Sequence, residues 1–267
     1  MTRDQTAGPF QALAAPCLVT VMVVVIWDLT LRLTGVSSVV VPAPLDVLHA
    51  IISDRQVLAE ATFRTALTAA TGLGGSILLG VCAAFAFSQS KLIRTAFYPY
   101  AVLLQTVPII AVAPIVVVTL GRGFHSVAMI SMIISLFPVI TSTTTGLLQT
   151  DADLRELFQL HQASRWQTFL KLQLPSALPY LISGIRIAGG AAVVGAIVGE
   201  FFVGSDVKGL GVLIERRKFG LKPDQLYAAV LMSTALGITC FTAITLIGEF
   251  FLQRFYGMSL SGTARRR

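Results

Sequence analysis

The sequence predicts an all-α membrane protein with six transmembrane helices in a single domain, residues 1–267. The first observation is composition, because 55% of the 267 residues are hydrophobic and only 12% are charged. Soluble domains carry about twice that share of charge. The second is a series of apolar runs of about 20 residues, the length that crosses a bilayer. The third is a long polar segment, residues 151–190, which interrupts the apolar pattern.

The predicted spans cover residues 12–33, 63–87, 97–120, 126–148, 181–203 and 226–251. The first run exceeds the apolar core of a signal peptide, which is about 7–15 residues, and no small-residue cleavage site follows it. We therefore expect it to be retained as a helix. After it, Pro42 and Pro44 predict an extended entry into a short helix that ends near Ile52.

The third span contains two prolines, in Gln105-Thr106-Val107-Pro108 and in Ala113-Pro114. Proline lacks a backbone donor, so the span should kink or unwind, and the freed carbonyls then need neighbours or a cavity. Interrupted spans often line the pathway of a transporter. Gln105, Thr106 and Pro108 are therefore candidate residues of a translocation pathway, and a plain structural kink is the alternative.

The fifth span carries a small-residue stripe and a carboxylate. Ala191, Gly195 and Gly199 recur every four residues, which predicts close helix packing, either within the subunit or against a second copy. Glu200 follows near the outer end of the span. An ionisable residue at membrane depth is a candidate functional residue, so Glu200 joins the candidate pathway residues, with solvation at the membrane interface as the alternative.

The polar segment begins as an amphipathic helix. Five apolar side chains can share one side of it: Leu157, Leu160, Trp166, Phe169 and Leu170. Pro175 and Pro179 follow, and because neither has a backbone N–H, they predict a break and a turn before the fifth span.

This segment resembles the cytoplasmic coupling loop of permease subunits of ABC importers. In that family the loop reads Glu-x-Ala, then Gly-Ala-Ser three residues later, and after a helical run Leu-Pro-x-Ala-x-Pro and a glycine. Two positions depart, because Phe158 stands at the family's alanine and Gln162 at its glycine, which leaves the shape of the turn there open. The matching residues are Glu156, Ala163, Ser164, Leu174, Pro175, Ala177, Pro179 and Gly184.

The resemblance implies the fold of type I importer permeases, with residues 151–178 as the loop that contacts an ATPase. Pro175 and Pro179 are expected to form a stiff elbow that passes movement to the fifth span. The residues expected to carry this coupling are Glu156, Gln162, Ala163, Ser164, Arg165, Pro175, Pro179 and Gly184.

The resemblance also implies partners and a location. The expected partners are two ABC ATPase subunits, a second permease copy that forms a homodimer, an external solute-binding protein and the lipid bilayer. The expected location is the cell inner membrane, with several passes and both termini in the cytoplasm. Basic residues divide almost evenly between the two sides, so the charge rule does not decide the orientation.

Within these importers, residues 40–255 look most like the branch that serves nitrate, sulfonates, taurine and pyrimidine precursors of thiamine. The Pro-x-Pro at 42–44 and the short element Gly209–Ile214 carry this likeness. Gln105–Pro108 and Ser164–Gln167 lean toward the pyrimidine-precursor members. The expected solute is a small polar organic or anionic molecule, selected largely by the binding protein.

Nothing in the sequence indicates catalysis. No Walker A motif is present, so ATP hydrolysis is expected on a separate subunit and the chain is not expected to be an enzyme. The three cysteines lie in apolar runs without CxxC spacing, and the three histidines are scattered, so no metal or cofactor site is predicted. The net charge of +7 would suggest nucleic acid in a soluble chain, but here the basic residues separate and anchor apolar spans.

The alternative from another class is a non-ABC membrane scaffold or a secondary transporter, and a membrane enzyme is less supported. A secondary transporter would be expected to show carboxylates in mid-membrane, whereas Asp28, Glu200 and Glu249 fall toward span ends. The basic patch Glu215–Lys218 is interpreted as solvated surface, or as a docking site for an acidic face of the binding protein. The terminal Arg265–Arg267 suits an anionic cytoplasmic surface.

Overall fold

The computed structural model describes residues 9–38, 40–204, 208–220 and 222–257, and all its regular elements are helical. A short π-helical turn, Phe169–Gln173, lies directly before α9 and is called the π turn below. The helices are α1 Pro9–Thr34, α2 Pro44–Ser53, α3 Arg55–Gln89, α4 Lys91–Thr106, α5 Ile109–Leu120, α6 Phe124–Leu148, α7 Ala152–Leu160, α8 Arg165–Thr168, α9 Leu174–Val203, α10 Leu210–Phe219 and α11 Pro223–Tyr256. The predicted arginine tail at 265–267 lies outside the described residues.

Five helices of the described chain are long and apolar enough to cross a membrane, and a sixth crossing results if the bent pair α4–α5 counts as one. The all-α membrane fold is therefore confirmed. Helix α3 has 35 residues, more than a bilayer requires, so it begins well before the predicted boundary at residue 63.

The predicted span at 97–120 is two helices, with a bend of 100° between α4 and α5. Val107 precedes a proline and adopts an extended conformation, and Pro108 is the N-cap of α5. Pro114 lies inside α5 without ending it. Only one of the two predicted proline sites therefore breaks the span, because Pro108 combines with a non-helical residue before it.

Helix α6 lies at the centre of the fold and packs against α3 and α9 along most of its length. Gly195 and Gly199 of the predicted small-residue stripe face Ser131 and Val127 of α6. This settles the two alternatives for these glycines, because their face packs within the subunit. Helix α1 lies at the periphery, where Trp27 contacts Tyr227 of α11.

The long helices run between two ends of the molecule. At the α10 end, α3 and α11 begin and α9 ends, next to α2 and α10. At the other end, α3, α6 and α11 end and α9 begins, next to α7 and α8. It is called the coupling-segment end, after the predicted coupling segment at residues 152–173. The described start of α1 and the described end of α11 both lie toward the coupling-segment end.

Candidate functional site

The coupling segment, residues 152–173, consists of α7, a tight turn, α8 and the π turn. Asp151 caps α7, since its Oδ1 accepts a hydrogen bond of 2.9 Å from the backbone N–H of Asp153. The predicted apolar face is mostly exposed: Leu160 is 80% exposed and Trp166 is 62% exposed. Glu156 is also exposed and forms no ion pair with a described residue. The segment therefore presents apolar side chains and a carboxylate outward.

The turn between α7 and α8 resolves the question left open at Gln162. Gln162 has a φ of +51°, and it is the one non-glycine residue with positive φ in the described chain. The backbone N–H of Ala163 donates to Phe158 O at 3.0 Å and closes the turn. The left-handed turn that favours glycine is therefore formed here by glutamine, at a conformational cost of about 1 kcal/mol.

Ser164 and Gln167 form a capping box at the start of α8. Ser164 Oγ accepts from the backbone N–H of Gln167 at 3.2 Å, and the backbone N–H of Ser164 donates to Gln167 Oε1 at 2.8 Å. Sequence reasoning used these residues for the resemblance and missed this role. The spacing Ser-x-x-Gln before a helix is the signal that would have found it.

An aromatic cluster joins the coupling segment to the end of α3. The Phe85 ring stacks on Trp166 with centroids 6.0 Å apart and meets Phe169 edge-on at 4.8 Å. Phe169 also packs against buried Ala84 and Ala177. The segment is thus attached to two transmembrane helices, to α3 through this cluster and to α9 through the chain.

The predicted break at Pro175 and Pro179 is wrong, because one continuous helix runs from Arg165 to Val203. The π turn ends immediately before Leu174, and its wider turn accommodates the proline ring that would otherwise meet the preceding carbonyl. Ser176 Oγ donates to Leu172 O at 2.8 Å and supplies a hydrogen bond beside the missing proline donor. The part of the coupling segment from Arg165 onward and the fifth span therefore form one continuous helix, and α7 is joined to it through the turn at Gln162.

Gly184 lies farther along this continuous helix, where α9 crosses α6. Its Cα faces Ser142 and the carbonyl of Pro138, and a Cβ there would lie 2.7 Å from Ser142 Cβ. The glycine therefore permits close approach of the two helices. It is part of the packing between α9 and α6 and does not belong to the exposed surface of the coupling segment.

The bend between α4 and α5 opens onto a groove of about 670 Å³. Three of the four candidate pathway residues, Gln105, Thr106 and Pro108, line it. Phe137 and Pro138 of α6 and Val194 of α9 form the facing wall. The groove is mostly apolar, with few polar groups at the bend, a composition suited to small solutes.

Glu200, the fourth candidate, lies elsewhere, in the interior of the α10 end. It is fully buried, so solvation at the membrane interface does not apply. Its carboxylate accepts from Thr65 Oγ1 at 2.8 Å and from the backbone N–H of Gly211 at 2.7 Å. Thr65 Oγ1 in turn accepts from the backbone N–H of Leu210 at 2.9 Å. Together Glu200 and Thr65 hold two N–H groups in the first turn of α10.

Comparisons with known proteins identify the family of the chain. The family described as binding-protein-dependent transport system inner membrane component matches residues 76–256. The chain belongs to this family.

It is thus a transmembrane permease subunit of an ABC transporter, and its curated relatives carry such names. The formylaminopyrimidine transport permease protein ThiX of Halalkalibacterium halodurans is 33% identical, over 91% of this chain and 96% of the relative. The putative aliphatic sulfonates transport permease protein SsuC of Bacillus subtilis is 31% identical, over 82% and 80%. A crystal structure of an amino acid ABC transporter with histidines shares the fold, with a TM-score of 0.59, 13% identity, and coverage of 77% of this chain and 97% of that one.

The permease brings most, though not all, of the predicted coupling residues together. Glu156, Gln162, Ala163, Ser164 and Arg165 lie on α7, α8 and the turn between them. Pro175, Pro179 and Gly184 lie inside α9 and away from that exposed surface. Among the described residues, no group of three His, Cys, Asp or Glu side chains is close enough to hold a metal ion.

Part of the predicted basic patch is also buried in the permease. Arg217 is 9% exposed. Its guanidinium donates hydrogen bonds to Asp54 Oδ2 at 2.8 Å and to Gln225 O at 2.9 Å. Burial lowers the pKa of the Arg217 guanidinium from its ordinary value, and the charges of Asp54 and Asp224 oppose that shift. The interpretation as solvated surface holds for the exposed Arg216 and Lys218 and is wrong for Arg217.

Proposed function

We propose that this permease is the membrane subunit of an ATP-driven importer and that ATP is hydrolysed on separate subunits. Two ATPase subunits, a second copy of this chain and an external solute-binding protein complete the assembly. It resides in the inner membrane with the coupling-segment end, and both termini, in the cytoplasm. The observation that carries the proposal is the exposed apolar surface of the coupling segment, whose last part, from Arg165, continues without a break into a transmembrane helix.

The coupling segment would dock into a cleft on an ATPase subunit. Leu157 and Leu160 would lose their exposure there, and the exposed carboxylate of Glu156 would meet a basic group of the ATPase. A small concavity lined by Phe158, His161 and Gln167 would receive a side chain of the partner. Exposed apolar clusters of this kind are typical of protein interfaces.

Movement of the docked segment would reach the membrane along two routes. The first runs from α7 through the hydrogen-bonded turn at Gln162 into the continuous helix from Arg165 to Val203, which would move as one unit. The second is the contact of Trp166 and Phe169 with Phe85 at the end of α3. Both helices pack on α6, so a tilt of the segment shifts the helices that face the groove.

The solute would pass along the groove at the α4–α5 bend. Val107 and Pro108 leave the helical conformation there, and the backbone carbonyls of the preceding turn lack intrahelical donors. Gln105 and Thr106 add side-chain hydrogen-bonding groups at the same level. A small polar organic or anionic solute fits this chemistry. We infer a pyrimidine precursor from the likeness to ThiX, with a sulfonate, taurine or nitrate as the alternative.

Transport would be tested by uptake into proteoliposomes that contain this permease, its ATPase and its binding protein. We expect accumulation of formylaminopyrimidine that requires ATP and binding protein, and little accumulation of ethanesulfonate or nitrate. Preference for either anion would move the assignment to the alternative branch. Accumulation without the ATPase subunit would contradict the proposal and favour a secondary transporter.

Docking would be tested by co-purification of the ATPase with the permease from membranes. Replacing Leu160 by Glu places a charge in the proposed interface, and we expect the ATPase to be lost. Leu92→Glu is the matched control, because Leu92 is 81% exposed at the same end of the molecule but lies outside the coupling segment. Equal retention of the ATPase by both variants would show that this segment is not the principal contact.

A further inference from the structure

A second cavity, of about 390 Å³, lies at the coupling-segment end between the start of α4 and the end of α6. It is separate from the groove at the α4–α5 bend, since the two share no lining residue. Its walls include one cation and several hydroxyls: Arg94, Thr95 and Tyr98 of α4, and Thr144 and Thr145 of α6. The transport mechanism proposed above uses none of them.

Arg94 supplies the positive charge of this cavity. Its Nη1 donates to Phe87 O at 3.4 Å, and no described carboxylate lies within ion-pair distance of it. A guanidinium has five N–H donors, so several remain for a ligand. Paired N–H groups of arginine match the oxygens of a phosphate, which makes an uncompensated arginine in a cavity suited to that group.

Thr144 supplies the observation that points to an occupant. Its side chain is only 3% exposed, and its Oγ1 has no hydrogen-bond partner among the described residues. A buried hydroxyl without a partner is unfavourable by about 1–3 kcal/mol, so such groups are normally satisfied. The neighbouring hydroxyl of Thr145 donates to Thr141 O at 2.8 Å, and it is therefore already satisfied. The Thr143 hydroxyl is also buried without a described partner but does not line the cavity, so Thr144 carries the unsatisfied hydroxyl of its wall.

Tyr98 completes the set of donors. The edge of its ring meets Phe87, with centroids 6.1 Å apart, and this fixes the ring against the core. Arg94 and Tyr98 are thus both held by contacts to Phe87, one turn apart on α4. A cavity with two hydroxyl donors and a guanidinium in fixed positions is prepared for an anion before it binds.

The surroundings indicate where that anion comes from. Helix α4 exposes large apolar side chains on both sides of Arg94, namely Leu92 at 81%, Phe97 at 58% and Tyr100 at 65%. Arg94 lies in the first turns of this helix, at the end of a span, where headgroups of the bilayer are located. In the orientation proposed above, on which this inference rests, this end lies at the cytoplasmic leaflet, which is rich in anionic lipids. We propose that this cavity binds the phosphate group of a membrane phospholipid, held by Arg94, Tyr98 and Thr144.

Binding would be measured by native mass spectrometry of the full-length permease in detergent, titrated with phosphatidylglycerol. Diacylglycerol with the same acyl chains tests the need for phosphate, and inorganic phosphate tests a soluble source. We expect phosphatidylglycerol to bind and diacylglycerol not to bind. We also expect Arg94→Gln to weaken phosphatidylglycerol binding about tenfold or more, as loss of a charge-assisted pair does.

Thr144→Val separates ligand binding from packing, because it keeps the shape and removes the hydroxyl. We expect about three- to tenfold weaker phosphatidylglycerol binding, the range for one ordinary hydrogen bond, and recovery in Thr144→Ser. Arg122→Gln removes an exposed arginine at the α10 end and is expected to leave binding unchanged.

Three outcomes would decide against the proposal. Equal binding of diacylglycerol, or phosphatidylglycerol binding unaffected by both Arg94→Gln and Thr144→Val, would overturn the site. Inorganic phosphate that binds as tightly as phosphatidylglycerol would keep the phosphate site and overturn its assignment to a lipid. If Arg94→Gln failed to fold, Thr144→Val and its recovery in Thr144→Ser would still decide the matter.

Discussion

At the α10 end, Glu200 and Arg217 are buried and each is hydrogen-bonded to groups of the same chain. At the coupling-segment end, the side chains of Glu156 and Leu160 are exposed. The Glu156 carboxylate forms no ion pair with a described residue. Both ends contain short helices, α2 and α10 at one and α7 and α8 at the other. The polar groups of the α10 end therefore have partners within the chain, whereas the surface of the coupling-segment end is exposed.

This difference indicates how each end contributes to stability. Removing an internal partner at the α10 end leaves buried donors unsatisfied, so substitutions there should destabilise the permease itself. Substitutions on the exposed face of the coupling segment should leave the isolated chain almost unchanged and affect the assembly. The four predictions below test this contrast, from the largest expected change in unfolding free energy to the smallest.

Glu200→Ala is expected to have the largest effect. The substitution leaves the N–H of Gly211 and the hydroxyl of Thr65 without their acceptor and opens a cavity. We expect the free energy of unfolding to fall by about 2–4 kcal/mol, measured by equilibrium unfolding in mixed micelles. Glu249→Ala, at an exposed pair with Gln253, serves as the control and should change it by less than about 0.5 kcal/mol. Equal effects of the two variants would remove the contrast between the ends.

Gly209→Ala tests the contact between Glu200 and the start of α10 by changing the α10 side of it. A Cβ at residue 209 would overlap the carboxylate of Glu200, so either α10 or Glu200 must move. We expect a loss of about 1–3 kcal/mol in the unfolding free energy, as overpacking of a filled core causes. Gly237→Ala is the matched control, because nothing lies within 4 Å of a Cβ there. A stable Gly209→Ala variant would show that the contact is easily rearranged.

Gln162→Gly is expected to stabilise the coupling-segment end slightly. Glycine adopts the φ of +51° without steric cost, although it also gains freedom in the unfolded chain. We expect a net gain of about 0.5–1 kcal/mol in the unfolding free energy. Gln159→Gly, inside α7, makes the same chemical change at a helical residue and should destabilise by about 1 kcal/mol. If both variants lost stability, the left-handed turn at Gln162 would not be strained.

Glu156→Ala is expected to have the smallest effect on the chain alone. Its side chain has no described ion-pair partner, so the unfolding free energy should change by less than about 0.5 kcal/mol. The ATPase retained on co-purification should nevertheless fall. Asp153→Ala removes a second exposed carboxylate from the same helix and controls for net charge. Identical retention of the ATPase by the two variants would exclude a specific role for Glu156.

Several features could be predicted from the sequence because local chemistry decides them. Long apolar runs must become helices in a bilayer, and the structure has such helices. The sequence also predicts a break in the third span, although it does not distinguish Pro108, which breaks the span, from Pro114, which does not. The capping box of Ser164 and Gln167 was equally local and was missed, although its spacing was visible.

Other features depended on neighbours that no local pattern reveals. Pro175 and Pro179 are helix breakers by themselves, yet the π turn and the packing of Phe169 and Ala177 keep α9 continuous. Glu200 looked like an interfacial carboxylate, and only Thr65, which lies 135 residues earlier, shows that it is a buried acceptor. Arg94 gives no signal in the sequence, because the cavity that it lines exists only where α4 crosses α6.

The sequence by itself thus determined the membrane class and the long apolar runs that become helices, because hydrophobicity acts locally. Only the tertiary structure decided which polar groups are satisfied. A carboxylate or hydroxyl near a span end has the same local sequence whether it faces water, lipid or a backbone N–H from a distant helix. Its partner is fixed by helix packing, which places Glu200 against α10 and leaves Thr144 without a partner.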